Sequence, residues 1–402
     1  VVVTVVGHAH EDLGVRRQFA DRALQVFALD EGRNAFGLQH LADQVGIGDV
    51  GGAVGGDQAG LALWWAADSV SERARDRDDP CARQARMIDA NDLKEPPLIY
   101  LTGSETPFVQ VRQGRYSPEG IGAEDARSYG SLLALPIPVI GLPWPQLKQT
   151  ALIVTLAHEV GHAVDEDFGV GAAADAAIGD LGDTLGERGK AWLAWRRELF
   201  ADAYGVLCAG PAHLIALSDY LLATEDVVRA ERVDLKQPGK YPPRQLRMWF
   251  NHQLLAEIGL ADVGVWQAWD ELYPVRGMQD FDDYAADAGA VVRALLRTPI
   301  SKFGGKAVRE VICMTAQEWA EVERRAAMLP AADDRLPWST ARVRDAAETQ
   351  SLFRLTFAAA TLASYRAADP AAQAKKLERM IQTVVGWAPY GKRGPQVDRT
   401  AD

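Results

Sequence analysis

Between residues 97 and 142 the apolar positions come in short runs. Pro97 to Leu101 and Phe108 to Arg112 predict two brief strands around a turn, and Gly114 to Gly130 reads as a loop. Leu135 to Leu142 is extended and marked by prolines, which cannot donate to a ladder, so it predicts an edge strand. Helical spacing takes over farther on. Ala151 to Val164 is almost free of charge and lacks proline, the pattern of a buried helix, and Lys190 to Ala209 predicts a second helix. Between them, the Gly-, Ala- and Asp-rich stretch Gly169 to Gly189 reads as a linker, with a mobile flap as the other reading. Beyond residue 260, Ala261–Leu272, Asp282–Leu296, Thr315–Met328, Thr340–Tyr365 and Pro370–Val385 suit amphipathic helices. The expected fold class is α+β, mostly helical, with a small sheet and a helical C-terminal region.

At 402 residues the chain exceeds one typical domain, so two or three units are expected. The first methionine is Met87. Before it lie a glycine-dense stretch, Gly46 to Gly60, and a mixed-charge run, Ser71 to Pro80, a poor recipe for a packed core. Residues 1–86 therefore read as a poorly defined N-terminal extension, loosely attached or upstream of the natural start. Residues 87–260 form the domain that carries the chemistry, 261–390 the helical C-terminal region, and 391–402 a disordered tail. Two strings in the extension are set aside. His8-Ala9-His10 follows an apolar run but has Leu13 where the longer HxHxDH pattern takes a histidine, and Gly46 to Gly51 matches GxGxxG without the strand that must precede it.

A net charge of −12 excludes nucleic acid and anionic membrane as expected partners. No run reaches the ~18–20 apolar residues of a membrane span, and the amino terminus lacks the basic region and apolar core of a secretory signal. Cys81, Cys208 and Cys313 are widely spaced, which argues against a disulfide framework or a cysteine metal site and for a reducing, cytoplasmic compartment. The eleven tryptophans are expected in the core.

Residues 158–162 read His-Glu-Val-Gly-His. On a helix, i and i+4 share a face, so His158 and His162 can aim both imidazoles at one ion while Glu159 projects beside it. A carboxylate there can take a proton from a water that the metal has acidified. Downstream, Glu198-Leu-Phe-Ala-Asp202 again spaces two groups at i and i+4. Glu198 fits as third ligand and leaves a fourth position open. Asp202 fits as the carboxylate that accepts the far ring N–H of a ligating histidine, His158 being the preferred partner. Ala201 and Gly205 are small enough to let the two helices approach. The HExxHxxGxxH and HxxEH orders are both absent.

These strings resemble those of the gluzincin metallopeptidases and, within them, the HtpX-like and CAAX prenyl-peptidase family. That family pairs HExxH with a downstream Glu-x-x-Ala-Asp and then carries a His-Pro-Pro element followed by an arginine. Here the third element is Tyr241-Pro242-Pro243-Arg244-Gln245-Leu246-Arg247, with Tyr241 in the histidine's place; its other reading is a loop whose prolines open a helix. The likeness spans roughly residues 130–260 and lacks the family's membrane helices. It implies a zincin-like core, one Zn2+ on His158, His162 and Glu198, Glu159 as general base, and Tyr241 or Arg247 stabilising the oxyanion, since a phenol can donate as an imidazole does. It also offers Pro138, Val139, Ile140, Gly141 and Leu142 as the edge that receives an extended peptide or protein substrate. The expected function is zinc-dependent hydrolysis of peptide bonds. The alternative is a catalytically inactive zincin scaffold that binds a partner or ligand, favoured by Tyr241 and disfavoured by Glu159. His213 and His252 are read as packed or surface histidines, either of which can also donate to an oxyanion.

Overall fold

A computed structural model describes residues 97–102, 107–112, 138–143, 150–274, 281–331 and 346–369, with four further positions between 372 and 377. The N-terminal extension with its two short strings, the loop at 114–130, the tail after 390 and most of the helix expected at 370–385 lie outside the described residues.

Three short strands form one sheet: β1 (Leu98–Thr102), β2 (Phe108–Gln110) and β3 (Val139–Pro143). Their order is β1-β3-β2, with β3 parallel to β1 and antiparallel to β2. The two strands expected around a turn therefore do not pair with each other, because β3 inserts between them. The stretch expected at an edge is the central strand. Pro136 and Pro138 precede the paired residues and Pro143 closes them, which leaves Val139 to Leu142 with amides to donate on either side. An unbroken apolar run, buried at every position, suits a strand with neighbours on both sides. Of these three strands, β2 is the one that packs against the helices.

After a 3-10 turn at Thr150–Thr155, helix α1 (Leu156–Phe168) is buried from Leu156 through Asp165. The segment expected as linker or flap is helical: α2 (Val170–Gly179), α3 (Gly182–Leu185) and a 3-10 turn at Gly186–Arg188. Its alanines favour helix, and Val170, Ala174 and Ile178 recur every four residues to bury one face. Helix α4 (Gly189–Ala209) then packs along α1. A Cβ on Gly161 of α1 would lie 2.8 Å from the Cα of Ala201, so these two small residues set the approach of the helices. Gly205 serves a different neighbour. The His213 ring of α5 (Pro211–Leu221) fills the space that a Cβ at 205 would need.

The remaining described helices are α6 (Glu225–Ala230), α7 (Arg244–Glu257), α8 (Val265–Leu272), α9 (Phe281–Arg297), α10 (Val308–Val311), α11 (Ala316–Met328) and α12 (Ala346–Arg366). A two-residue ladder, β4 (Pro299–Ile300) with β5 (Lys306–Ala307), follows α9. Trp192 and Trp195 of α4 meet Tyr284 of α9, and Trp192 also meets Phe250 of α7. This aromatic core anchors α4 against α7 and α9. Within it, buried Asp287 accepts hydrogen bonds from Trp192 (3.1 Å) and from Arg188 (2.7 and 2.9 Å). Thr315 and Glu318 form a capping box that starts α11, and α12 packs on α11, α5 and the 3-10 turn. Among the described residues, no helix is long and apolar enough to cross a membrane.

Candidate metal centre

Helices α1 and α4 bring three buried side chains to one point. The Oε2 of Glu198 lies 3.3 Å from Nε2 of His158 and 3.4 Å from Nε2 of His162, and one ligand atom from each of the three residues falls within 4.8 Å of the others. Four ligands placed tetrahedrally at ~2.0–2.1 Å from an ion stand about 3.3–3.4 Å apart. Both distances from Glu198 match this spacing, and the three side chains could hold a metal ion. The imidazole rings are 4.7 Å apart and nearly perpendicular, as i, i+4 neighbours converging on a shared point.

In the metal-free chain, protons and cations neutralise this cluster. Burial makes His158 less basic, but its hydrogen bonds to Asp202 and Glu198 outweigh that and carry it up to about 9. Burial brings His162 down to about 4 despite its contact with Glu198. Burial alone would raise Glu198, yet the two imidazoles hold it well below the usual carboxylate range. Glu159 follows burial: desolvation raises its pKa and the charge of Glu198 adds to the effect.

Behind His158 the structure places a network centred on Asp202, which is fully buried. Its Oδ1 lies 2.7 Å from His158 Nδ1, which leaves Nε2 on the side of Glu198, where it could bind a metal ion. Arg247, on α7, donates Nε to Oδ2 (2.7 Å) and NH2 to Oδ1 (2.8 Å), a two-point grip on the same carboxylate. Asn251, one turn after Arg247, donates Nδ2 to Oδ2 (3.1 Å) and to the carbonyl of Arg247 (2.9 Å). Arg247 thus sits on the Nδ1 side of His158, whereas Nε2 faces Glu198. Two of its three guanidinium nitrogens are committed to Asp202, which gives Arg247 a positioning role, and its side chain also lines the cleft.

The ligand cluster lines a cleft of about 640 Å3, within the range of small-molecule and peptide sites. Pro107 with Phe108 and Val109 of β2 forms one wall, and Leu217, Tyr220 and Leu221 of α5 form another. The segment before α7 contributes Lys240, Tyr241 and Pro242. Tyr241 is 51% exposed, accepts a hydrogen bond from Lys240 Nζ (3.0 Å) and lays its ring over the Arg247 guanidinium. Lys240 also forms an ion pair with Glu198 Oε1 at 3.2 Å. No residue from Pro138 to Leu142 lines the cleft; β3 is enclosed between its neighbours, and β2 is the strand beside the ligands.

His213 is buried at the back of the cluster, with Nε2 3.9 Å from Asp202 Oδ1, beyond hydrogen-bond length, and burial lowers its pKa. His252 is partly exposed, stacked on Trp249 and paired with Asp262 at 2.9 Å, far from this chemistry. Two members of the site carry no motif of their own. Asn251 was findable as the residue four after Arg247 on one helix face, whereas Lys240 joins Glu198 only through the path of an irregular segment.

Comparison of the chain with protein-family models, with curated proteins and with solved structures finds no match.

Proposed function

We propose that this chain is a zinc-dependent peptidase with a zincin-like core of the gluzincin type, hydrolysing peptide bonds. The observation that carries the reading is the spacing of His158, His162 and Glu198 ligand atoms, with buried Glu159 beside them at a cleft. Two nitrogens and one oxygen suit zinc, and three protein ligands leave the open position that separates catalytic from structural sites. A zinc ion held there supplies Lewis-acid polarisation of a substrate carbonyl and acidifies water towards neutral pH.

The chain's own groups do the rest. Glu159 takes the proton of the attacking water and delivers it to the leaving amine, a task suited to a carboxylate made more basic by burial. Asp202, gripped by Arg247, fixes the His158 tautomer. Tyr241, exposed at the cleft with Lys240 beside it, is placed to donate to the developing oxyanion. Strand β2, which lines the cleft where β3 does not, is the part of the sheet that meets the substrate. Glu159 also weighs against a non-catalytic scaffold, since a structural metal has no use for a general base.

The test is a chelator-sensitive cleavage assay on a peptide library. Wild-type chain loaded with zinc is expected to cleave, and Glu159→Gln is expected to keep zinc and lose at least about 10²-fold in rate. Absence of any cleavage by zinc-loaded, folded wild type would overturn the proposal.

A further inference from the structure

Among the described residues, four cationic side chains line the cleft, and three of them are already paired. Lys240 faces Glu198, Arg244 faces Glu231, and Arg247 holds Asp202. Arg197 is the exception. It lies next to the ligand Glu198 on α4, lines the cleft and is exposed, and among the described residues it makes no ion pair or hydrogen bond. Its neighbour Arg196 shows the contrast. That guanidinium turns the other way and is bound to both Asp165 and Asp175.

An unpaired guanidinium at the rim of a substrate cleft is a carboxylate receptor. Its fork matches a carboxylate at two points, and no existing ion pair has to be broken for it to bind. The paired cations offer no such vacancy. Among the described residues of the cleft, Glu159 is the other charged group without an ion-pair partner; it is taken up as the base and would repel a carboxylate placed close to it. The apolar wall of Leu217, Leu221 and Phe108 accommodates the uncharged part of the same ligand. We propose that Arg197 selects substrates bearing a carboxylate near the scissile bond, from either a free C-terminus or an acidic side chain. The inference rests on the peptidase reading of this cleft for its substrate class.

Equilibrium binding tests it without requiring turnover. The zinc-loaded Glu159→Gln chain is titrated with matched peptides: one pair differs only in a C-terminal acid or amide, the other only in an Asp or Asn beside the central bond. The expected result is that one acidic member binds about fivefold tighter than its neutral twin. The pair that shows the difference identifies the source of the carboxylate. The preference is expected to vanish when Arg197→Gln is added and to reverse towards a Lys-containing peptide with Arg197→Glu. Equal binding within both pairs, or a preference that survives Arg197→Gln, overturns the inference. Hydrolysis by wild type is scored separately, so that a protein binding acidic peptides without cleaving them counts against the peptidase reading alone.

Discussion

Asp202 Oδ1 stands 2.7 Å from Nδ1 of His158, and Arg247 grips both oxygens of the same carboxylate. A carboxylate so held fixes which ring nitrogen of His158 carries the proton and turns the other towards the ligand cluster. Asp202→Asn keeps the size of the side chain and loses its charge. Zinc affinity is expected to fall about 10–100-fold, measured by competition with a chromogenic chelator. An unchanged affinity would show that Asp202 does not orient this ligand.

Arg247→Ala probes the other half of the relationship. Arg247 is 5% exposed, so its removal leaves Asp202 buried without its main counter-charge. The expected loss is about 3–5 kcal/mol of unfolding free energy, read from the denaturant midpoint of the metal-free chain. A loss under about 1 kcal/mol would mean that water reaches Asp202 in solution.

The pH dependence follows from the two imidazoles. His158 titrates at about 9 in the folded metal-free chain, above its ordinary value of 6.5. Its contribution to stability is complete below about pH 6.5 and is lost as pH rises through 9. His162, lowered to about 4, contributes above pH 6.5 and loses its contribution as pH falls towards 4. The metal-free chain is therefore expected to be most stable near pH 6.5. Because an ion must displace the His158 proton, zinc affinity is expected to rise about tenfold per pH unit between 6.5 and 8.5 and to level off above 9. Zinc titrations across this range, with metal-free denaturation at pH 6.5 and 9.5, check both limbs. An affinity independent of pH would contradict the protonation assigned to His158.

Two glycines separate close approach from mere presence in a helix. Gly161→Ala puts a methyl group 2.8 Å from the backbone of Ala201, so α1 and α4 must part. A cost of about 1–3 kcal/mol is expected, together with weakened zinc binding. Gly289→Ala, in α9, meets no atom closer than 3.5 Å and is expected to gain about 0.4–1 kcal/mol. Thermal midpoints of the two variants should move in opposite directions.

The clustering of the candidate metal-binding residues was more legible in the sequence than the strand topology. His158, His162, Glu198 and Asp202 are spaced by helical geometry, which is local, so the strings alone place each pair on one face. The role of β3 depended on where a distant strand pairs. Its prolines read as an edge signal, and only the pairing shows that they precede the paired residues or fall at the last of them. The helices at 170–185 were masked by glycines that fall at their ends. Asn251 was within reach of a helical reading, whereas the Lys240 contact with Glu198 depends on an irregular segment that no periodicity encodes.

The central claim is that His158, His162 and Glu198 hold one divalent ion. X-ray absorption of zinc-loaded protein, with metal content measured per chain, tests it most directly. One zinc with two imidazole nitrogens at about 2.0–2.1 Å, oxygen in the remaining positions and no sulfur is the result expected, lost in His162→Ala. A folded chain that takes up no zinc, or whose zinc survives that substitution unchanged, would contradict it.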